Sequence, residues 1–181
     1  METSVGGVWA AGDCVESMDR ITGLPVVVAL GTHANKQGRV VGINATGGDV
    51  RFPGVVGTAV SKICVYEVAR VGLTERDAAD LDRDVVAAKI ESTSRAGYYP
   101  GAAPIKVKVV AERPGGRLVG AQIVGAEGAA KRIDVLATAI WNRMTVDEVA
   151  SLDLSYAPPF SPVWDPVLVA ARKAADMLTL G

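Results

Sequence analysis

The chain has 181 residues, 49% of them apolar and 22% charged, with 19 Lys and Arg against 20 Asp and Glu. That length suits one domain with a piece of another, or two small ones, and buries roughly 70% of the unfolded surface. The balanced charge argues against nucleic-acid or membrane-surface binding driven by net charge, and no 18-residue apolar run marks a membrane span. Two cysteines, Cys14 and Cys64, form neither a disulfide framework nor a metal cluster, and the start METSVGGVWAAGDC has an acid at its second position instead of the basic start of a secretory signal. The expected setting is therefore a reducing cytoplasm.

In chain order, Val8-Trp9-Ala10-Ala11 is a short apolar run stopped by Gly12-Asp13. It predicts a buried strand whose sheet partners come from elsewhere. Thr32 predicts the cap of a helix to about Asn44, with Ala34, Gln37, Gly38, Val41 and Gly42 on the inner face. A loop through Thr46-Gly47-Gly48-Asp49 and Phe52-Pro53-Gly54 places the main boundary, dividing residues 1–50 from 51–181.

Beyond it, Lys62 to Val71 and Val85 to Thr93 read as Val- and Ile-rich strands, with a short helix between them opened by Thr74 and Asp77. Ile105, Val107 and Val109 alternate with Lys106 and Lys108, a strand with one wet face. Arg113-Pro114-Gly115-Gly116-Arg117 turns the chain, and Leu118 to Val124 returns as the second arm of a hairpin. Ile133, Leu136, Ala137, Ile140, Trp141 and Met144 then form one helical stripe. Thr145 and Glu148 make a capping box, and Asp165 with Pro166 opens a last helix whose stripe is Val167, Ala171, Ala174, Ala175 and Leu178. Strands followed by helices predict an α+β fold, an antiparallel sheet covered by helices.

The sequence lacks G-x-G-x-x-G, a phosphate-binding P-loop and G-x-S-x-G. With His33 as the one histidine, a His-rich metal site is excluded and no metal is expected. His33, in a first helical turn, reads as a residue tuned by the helix dipole, and Cys14 and Cys64 read as buried and inert. Asp13 has two readings, a carboxylate that accepts two hydrogen bonds from a ribose or ribityl chain, or a turn aspartate. Tyr98-Tyr99-Pro100-Gly101 and Ser155-Tyr156-Ala157-Pro158-Pro159-Phe160-Ser161-Pro162 are rigid aromatic loops that pack against something.

Taken together, TSVGGVWAAGDCV resembles the second FAD-binding motif of the pyridine-nucleotide disulfide oxidoreductases. THANKQGRVVGINATGG resembles the helix that follows it, and residues from about 58 onward resemble the family's C-terminal dimerisation domain. The resemblance implies that Asp13, beside Gly12, holds the ribityl chain of FAD. It further implies that Thr32, His33 and Ala34 at the helix N-terminus, and Pro159 and Phe160 in the second loop, lie on the cofactor side. GYYPG followed by LSYAPPFSPVWDPV resembles the coenzyme A-disulfide reductase and NADH oxidase branch. There the resemblance makes Tyr156 and Tyr98 the catalytic pair, with Tyr98 favoured over Tyr99, reaching the redox cysteine of a partner subunit.

The family's two G-x-G-x-x-G motifs and its redox cysteine are absent from these residues. The implied function is accordingly the C-terminal part of an NAD(P)H- and FAD-dependent disulfide reductase, a fragment of the FAD-binding α/β domain followed by the dimerisation domain. The implied assembly is a homodimer acting on coenzyme A disulfide or a related small disulfide, without nucleic acid or membrane. FAD and NAD(P)H serve the complete enzyme, and the isolated segment is expected to retain neither. An NADH oxidase or peroxidase of the same fold, or a non-catalytic dimerisation module, is the alternative.

Overall fold

The computed structural model describes residues 1–180. The chain divides into two compact units, Met1–Gly57 and a larger one from Thr58 onward. The first unit opens with a small turn, in which Trp9 bridges Glu2 and the Thr3 amide donates to the Val8 carbonyl at 2.8 Å. The run Val8–Ala11 is thus not the strand its composition predicts. It folds back on the preceding residues around Gly7 (φ 78°), and Val8 stays exposed.

Two short antiparallel strands follow, β1 (Ser17–Met18) and β2 (Pro25–Val26). Between them the Asp19 carboxylate accepts the amides of Ile21 at 2.7 Å and Thr22 at 3.1 Å. Helix α1 (Gly31–Ala45) completes the unit. Its N-cap is Leu30, not Thr32, and Leu30 provides no side-chain cap. Gln37 and Val40 are its buried residues, whereas Gly38 and Gly42 face open space. The inner face is therefore rotated from the predicted one toward side chains that have surface to bury.

The second unit is a five-stranded antiparallel sheet of β3 (Ala59–Ile63), β4 (Tyr66–Gly72), β5 (Val85–Thr93), β6 (Pro104–Glu112) and β7 (Leu118–Gly125), ordered β3-β4-β7-β6-β5. One continuous strand over Lys62–Val71 was expected. Instead the chain reverses at Cys64, whose φ of 54° is incompatible with extended backbone, and two strands result. Val86, Ala88, Ile90, Ile105, Val107, Val109, Ala121, Ile123, Ala69 and Val71 share one buried sheet face. Lys89, Lys106, Lys108 and Gln122 alternate with them on the other, the period-two pattern expected of a sheet covered on one side.

Helix α2 (Glu75–Asp80) links β4 to β5 and carries the full Thr74–Asp77 capping box. Helices α3 (Ala129–Trp141), α4 (Val146–Ala150) and α5 (Pro166–Thr179) follow the sheet. α3 packs on β4 and β7, α5 on β5 and β6, and α4 against α5. Ile133, Leu136 and Ile140 of the predicted stripe are buried, but Ala137 is only half-buried, Trp141 is exposed at the end of the helix, and Met144 lies beyond it, after Arg143 takes a φ of 58°. The Thr145–Glu148 box and the Asp165 cap form as predicted.

Leu136 lies at the centre of α3 with no exposed surface. Leu136→Ala should destabilise the second unit by about 3 kcal/mol, the usual result of leaving a leucine-sized cavity in a packed core. A urea titration monitored by circular dichroism should show a lowered midpoint at unchanged slope.

Candidate functional site

In the first unit the Gly12 turn is fixed from beneath by Gln37, only 2% exposed. Its carbonyl accepts the Gly12 amide at 2.7 Å and its amide donates to the Ser17 hydroxyl at 2.8 Å. The glutamine is therefore satisfied on both sides, and it ties the turn to α1. Gly12 has a φ of 91°, and a Cβ on it would stand 3.8 Å from that of Ala34. The turn thus comes close to the first turn of α1. Asp13 is exposed, with no hydrogen bond or ion pair among the described residues.

The start of α1 is open in the same sense. The amides of His33 and Ala34 donate to the Leu30 carbonyl, while no acidic side chain occupies the first turn. Thr32 is exposed, and Nδ1 of the half-buried His33 is enclosed with no partner among the described residues. Such an end attracts negative charge, because its leading N–H groups and the helix dipole point the same way. Cys14 and Cys64 are both exposed, contrary to expectation. Each sits in a turn, where no sheet or helix covers it.

In the second unit the two aromatic loops meet. Tyr98 is 80% exposed and Tyr156 47%. The backbone joins the loops where the Ala96 amide donates to the Pro158 carbonyl at 3.1 Å. The Tyr156 phenol is held above the ordinary phenol range, first by desolvation and then by hydrogen bonding with, and charge repulsion from, the Tyr98 phenol. The ring of Tyr156 is half exposed overall, so this desolvation is local. With its ionisation held up in this way, Tyr156 remains a proton donor at neutral pH. Tyr99 is half-buried, with its amide closing the turn onto the Ala96 carbonyl at 2.8 Å. It braces the turn that presents Tyr98.

Pro159 and the 77%-exposed Phe160 line a cleft of about 350 Å³ with Arg95, Glu127, Arg132 and Leu154. Sequence reasoning missed the charged residues at its base. Arg132 donates from Nε to Asp165 at 2.9 Å, and the two side chains are only 11% and 13% exposed. Arg95 pairs with Glu127. One signal was available, since Asp165 is a helix cap directly after the Ser155–Pro162 loop, but its second oxygen had no visible partner in the sequence. Tyr98, Tyr156, Pro159 and Phe160 thus share the second unit, and Gly12, Asp13, Thr32, His33 and Ala34 share the first.

Residues 58–166 match the pyridine nucleotide-disulphide oxidoreductase dimerisation domain. The chain belongs to this family. It is 44% identical over 172 residues to a CoA-dependent NAD(P)H sulfur oxidoreductase of Pyrococcus furiosus, covering 95% of this chain and 39% of that protein. It is 39% identical over 179 residues to an NADH oxidase of Methanocaldococcus jannaschii, covering 99% and 40%. The solved structure of a NAD-dependent persulfide reductase from A. fulgidus superimposes with a TM-score of 0.95 at 45% identity, over 98% of this chain and 33% of that one. The chain thus spans about two fifths of the curated relatives' length. No helix among the described residues is long and apolar enough to cross a membrane.

A raised phenol pKa means that the protonated form is favoured in the folded state. Its contribution to stability is complete below the ordinary phenol range, about 10, and is lost as pH rises through the higher folded value. Tyr98→Phe removes the hydroxyl that hydrogen-bonds the Tyr156 phenol and should move its ionisation down toward that range. Ultraviolet difference spectra across an alkaline titration will show whether the last phenol step moves.

Proposed function

We propose that this chain supplies the flavin-facing end and the subunit interface of an NAD(P)H-dependent oxidoreductase that cleaves sulfur–sulfur bonds in small acceptors carried on coenzyme A, its disulfide or persulfide. The observation that carries the reading is the pair of phenols, Tyr98 and Tyr156, both reaching solvent on loops joined by the Ala96–Pro158 backbone bond. We read the first unit as the end of an FAD-binding domain and the second as the dimerisation domain. The names of the relatives, a CoA-dependent sulfur oxidoreductase and a persulfide reductase, favour a sulfur acceptor.

The first unit fits FAD. Asp13 has free acceptor oxygens, Gly12 leaves room for close approach, and the start of α1, with no side-chain cap, offers the Thr32 amide and the positive end of the helix dipole to negative charge, beside His33 and Ala34. When bound, FAD relays the reducing equivalents of NAD(P)H to the acceptor. With FAD bound there, Asp13 would accept hydrogen bonds from the ribityl hydroxyls, and the His33 end of the helix would favour negative charge on the ring. In the second unit, Tyr156 keeps its proton at neutral pH and donates to the thiolate that leaves as the sulfur–sulfur bond breaks. Tyr98 holds the Tyr156 phenol in its protonated form and offers a second donor. Pro159 and Phe160 would wall the approach to the phenols from the cleft. Exposed Cys14 and Cys64 suit a reducing cytoplasm, where such thiols persist.

The working unit in this reading is a homodimer. Ile63, Val65, Tyr66, Phe160, Val163 and Trp164 leave much apolar surface exposed on the second unit. Light scattering should return twice the 18.7 kDa chain mass, and a concentration-independent monomer mass would reject the assembly. For the chemistry, Tyr156→Phe in the flavin-loaded enzyme should slow turnover of coenzyme A disulfide by ~10²-fold while leaving flavin reduction by NAD(P)H unchanged. Stopped-flow traces separate the half-reactions. Ordinary sulfur turnover in this variant, or an enzyme that reduces oxygen but neither sulfur acceptor, overturns the reading.

A further inference from the structure

We infer that Arg132 is a positioning residue whose guanidinium holds the Tyr98 turn and the Tyr156 loop in the arrangement that sets the two phenols side by side. This rests on the reading above that the phenols serve the acceptor sulfur. The geometry is a fork with every prong used. Nε donates to Asp165 at 2.9 Å, and Nη2 donates to the carbonyl of Ser94 at 3.0 Å and to that of Phe160 at 3.2 Å. Nη1 reaches back to the Gly128 carbonyl at 3.5 Å. Ser94 begins the segment that carries Tyr98, and Phe160 ends the one that carries Tyr156.

Each anchored point is itself fixed. The Ser94 amide donates to the Ala103 carbonyl at 2.8 Å, and its hydroxyl accepts the Ala103 amide at 3.1 Å, which closes the base of the Tyr98 turn. Asp165 accepts the Ser161 hydroxyl at 3.1 Å on one oxygen and the Val167 amide at 2.9 Å on the other, so it joins the Tyr156 loop to the start of α5. Gly128 has a φ of 79°, and a Cβ there would occupy the place of Arg132 Nη1. The glycine therefore makes room for the guanidinium as well as the turn. A lysine has its three donors on one tetrahedral atom and lacks the planar fork that bonds the carboxylate from Nε and two carbonyls from Nη2, so it does not reproduce this geometry. Of the other cations lining the cleft, Arg95 pairs with Glu127, and the exposed Lys131 lies near Asp134 on its own helix.

The test compares Arg132→Lys and Arg132→Ala with the parent in the flavin-loaded enzyme. Three quantities are read: thermal melting, the alkaline phenol titration, and the two half-reactions. Arg132→Lys should melt as a folded protein while the Tyr156 ionisation falls into the ordinary phenol range. Sulfur turnover should drop by ~10²-fold, as expected for misplaced catalytic groups, with flavin reduction unchanged. Arg132→Ala should repeat this more strongly, and if it fails to fold the lysine variant decides. A parental phenol titration in folded Arg132→Lys overturns the positioning role, whatever Tyr156→Phe does. A shifted titration with ordinary sulfur turnover keeps the positioning role and overturns the sulfur chemistry instead.

Discussion

The second unit depends at one end on a charge pair removed from water. Taking Arg132 and Asp165 out of solvent is unfavourable unless their remaining hydrogen-bonding groups are satisfied. Here they are, with carbonyls around the guanidinium and an amide and a hydroxyl around the carboxylate. The consequence is geometric. The end of β5, the start of α3, the proline-rich loop and the cap of α5 converge on one point, although they lie up to seven decades of residues apart in the chain. Loops that would otherwise be free to move are fixed to a rigid sheet.

Much of this was legible in the sequence. The β6–β7 hairpin, the extent of β5, both capping boxes and the Asp165 cap follow from alternation and from side chains that compete for backbone amides, which are local effects. The failures share a different origin. Val8–Ala11 has the apolar content of a strand but pairs inside its unit only through the single bridge from Trp9 to Glu2, and Cys64 reverses the chain without a glycine to announce it. Thr32 has the chemistry of a cap, yet the cap position falls two residues earlier, at Leu30, and the helix begins at Gly31.

The site was legible to the same degree. The tyrosines stood out because prolines make their loops stiff, and Asp13 because it follows a glycine at the end of an apolar run. Arg132 did not, since an arginine on a helix usually reaches water, and nothing in the local sequence reports the carbonyls that receive it. Gln37 was placed on the buried face of its helix, but its bonds to Gly12 and Ser17 depend on residues 25 and 20 positions away. Long-range polar bonds of this kind arise only when the fold brings their ends together.

The position of β3 at the outside of the sheet has a consequence for how the chain behaves in concentrated solution. One side of that strand pairs with β4, and the other presents unpaired backbone donors and acceptors, the template on which a foreign strand can grow. Val60 and Ile63 would make such growth favourable, since both are exposed. Lys62 stands between them and is exposed as well. Docking a further strand there would bring a row of ammonium groups together, so a single charge guards the edge against runaway sheet extension.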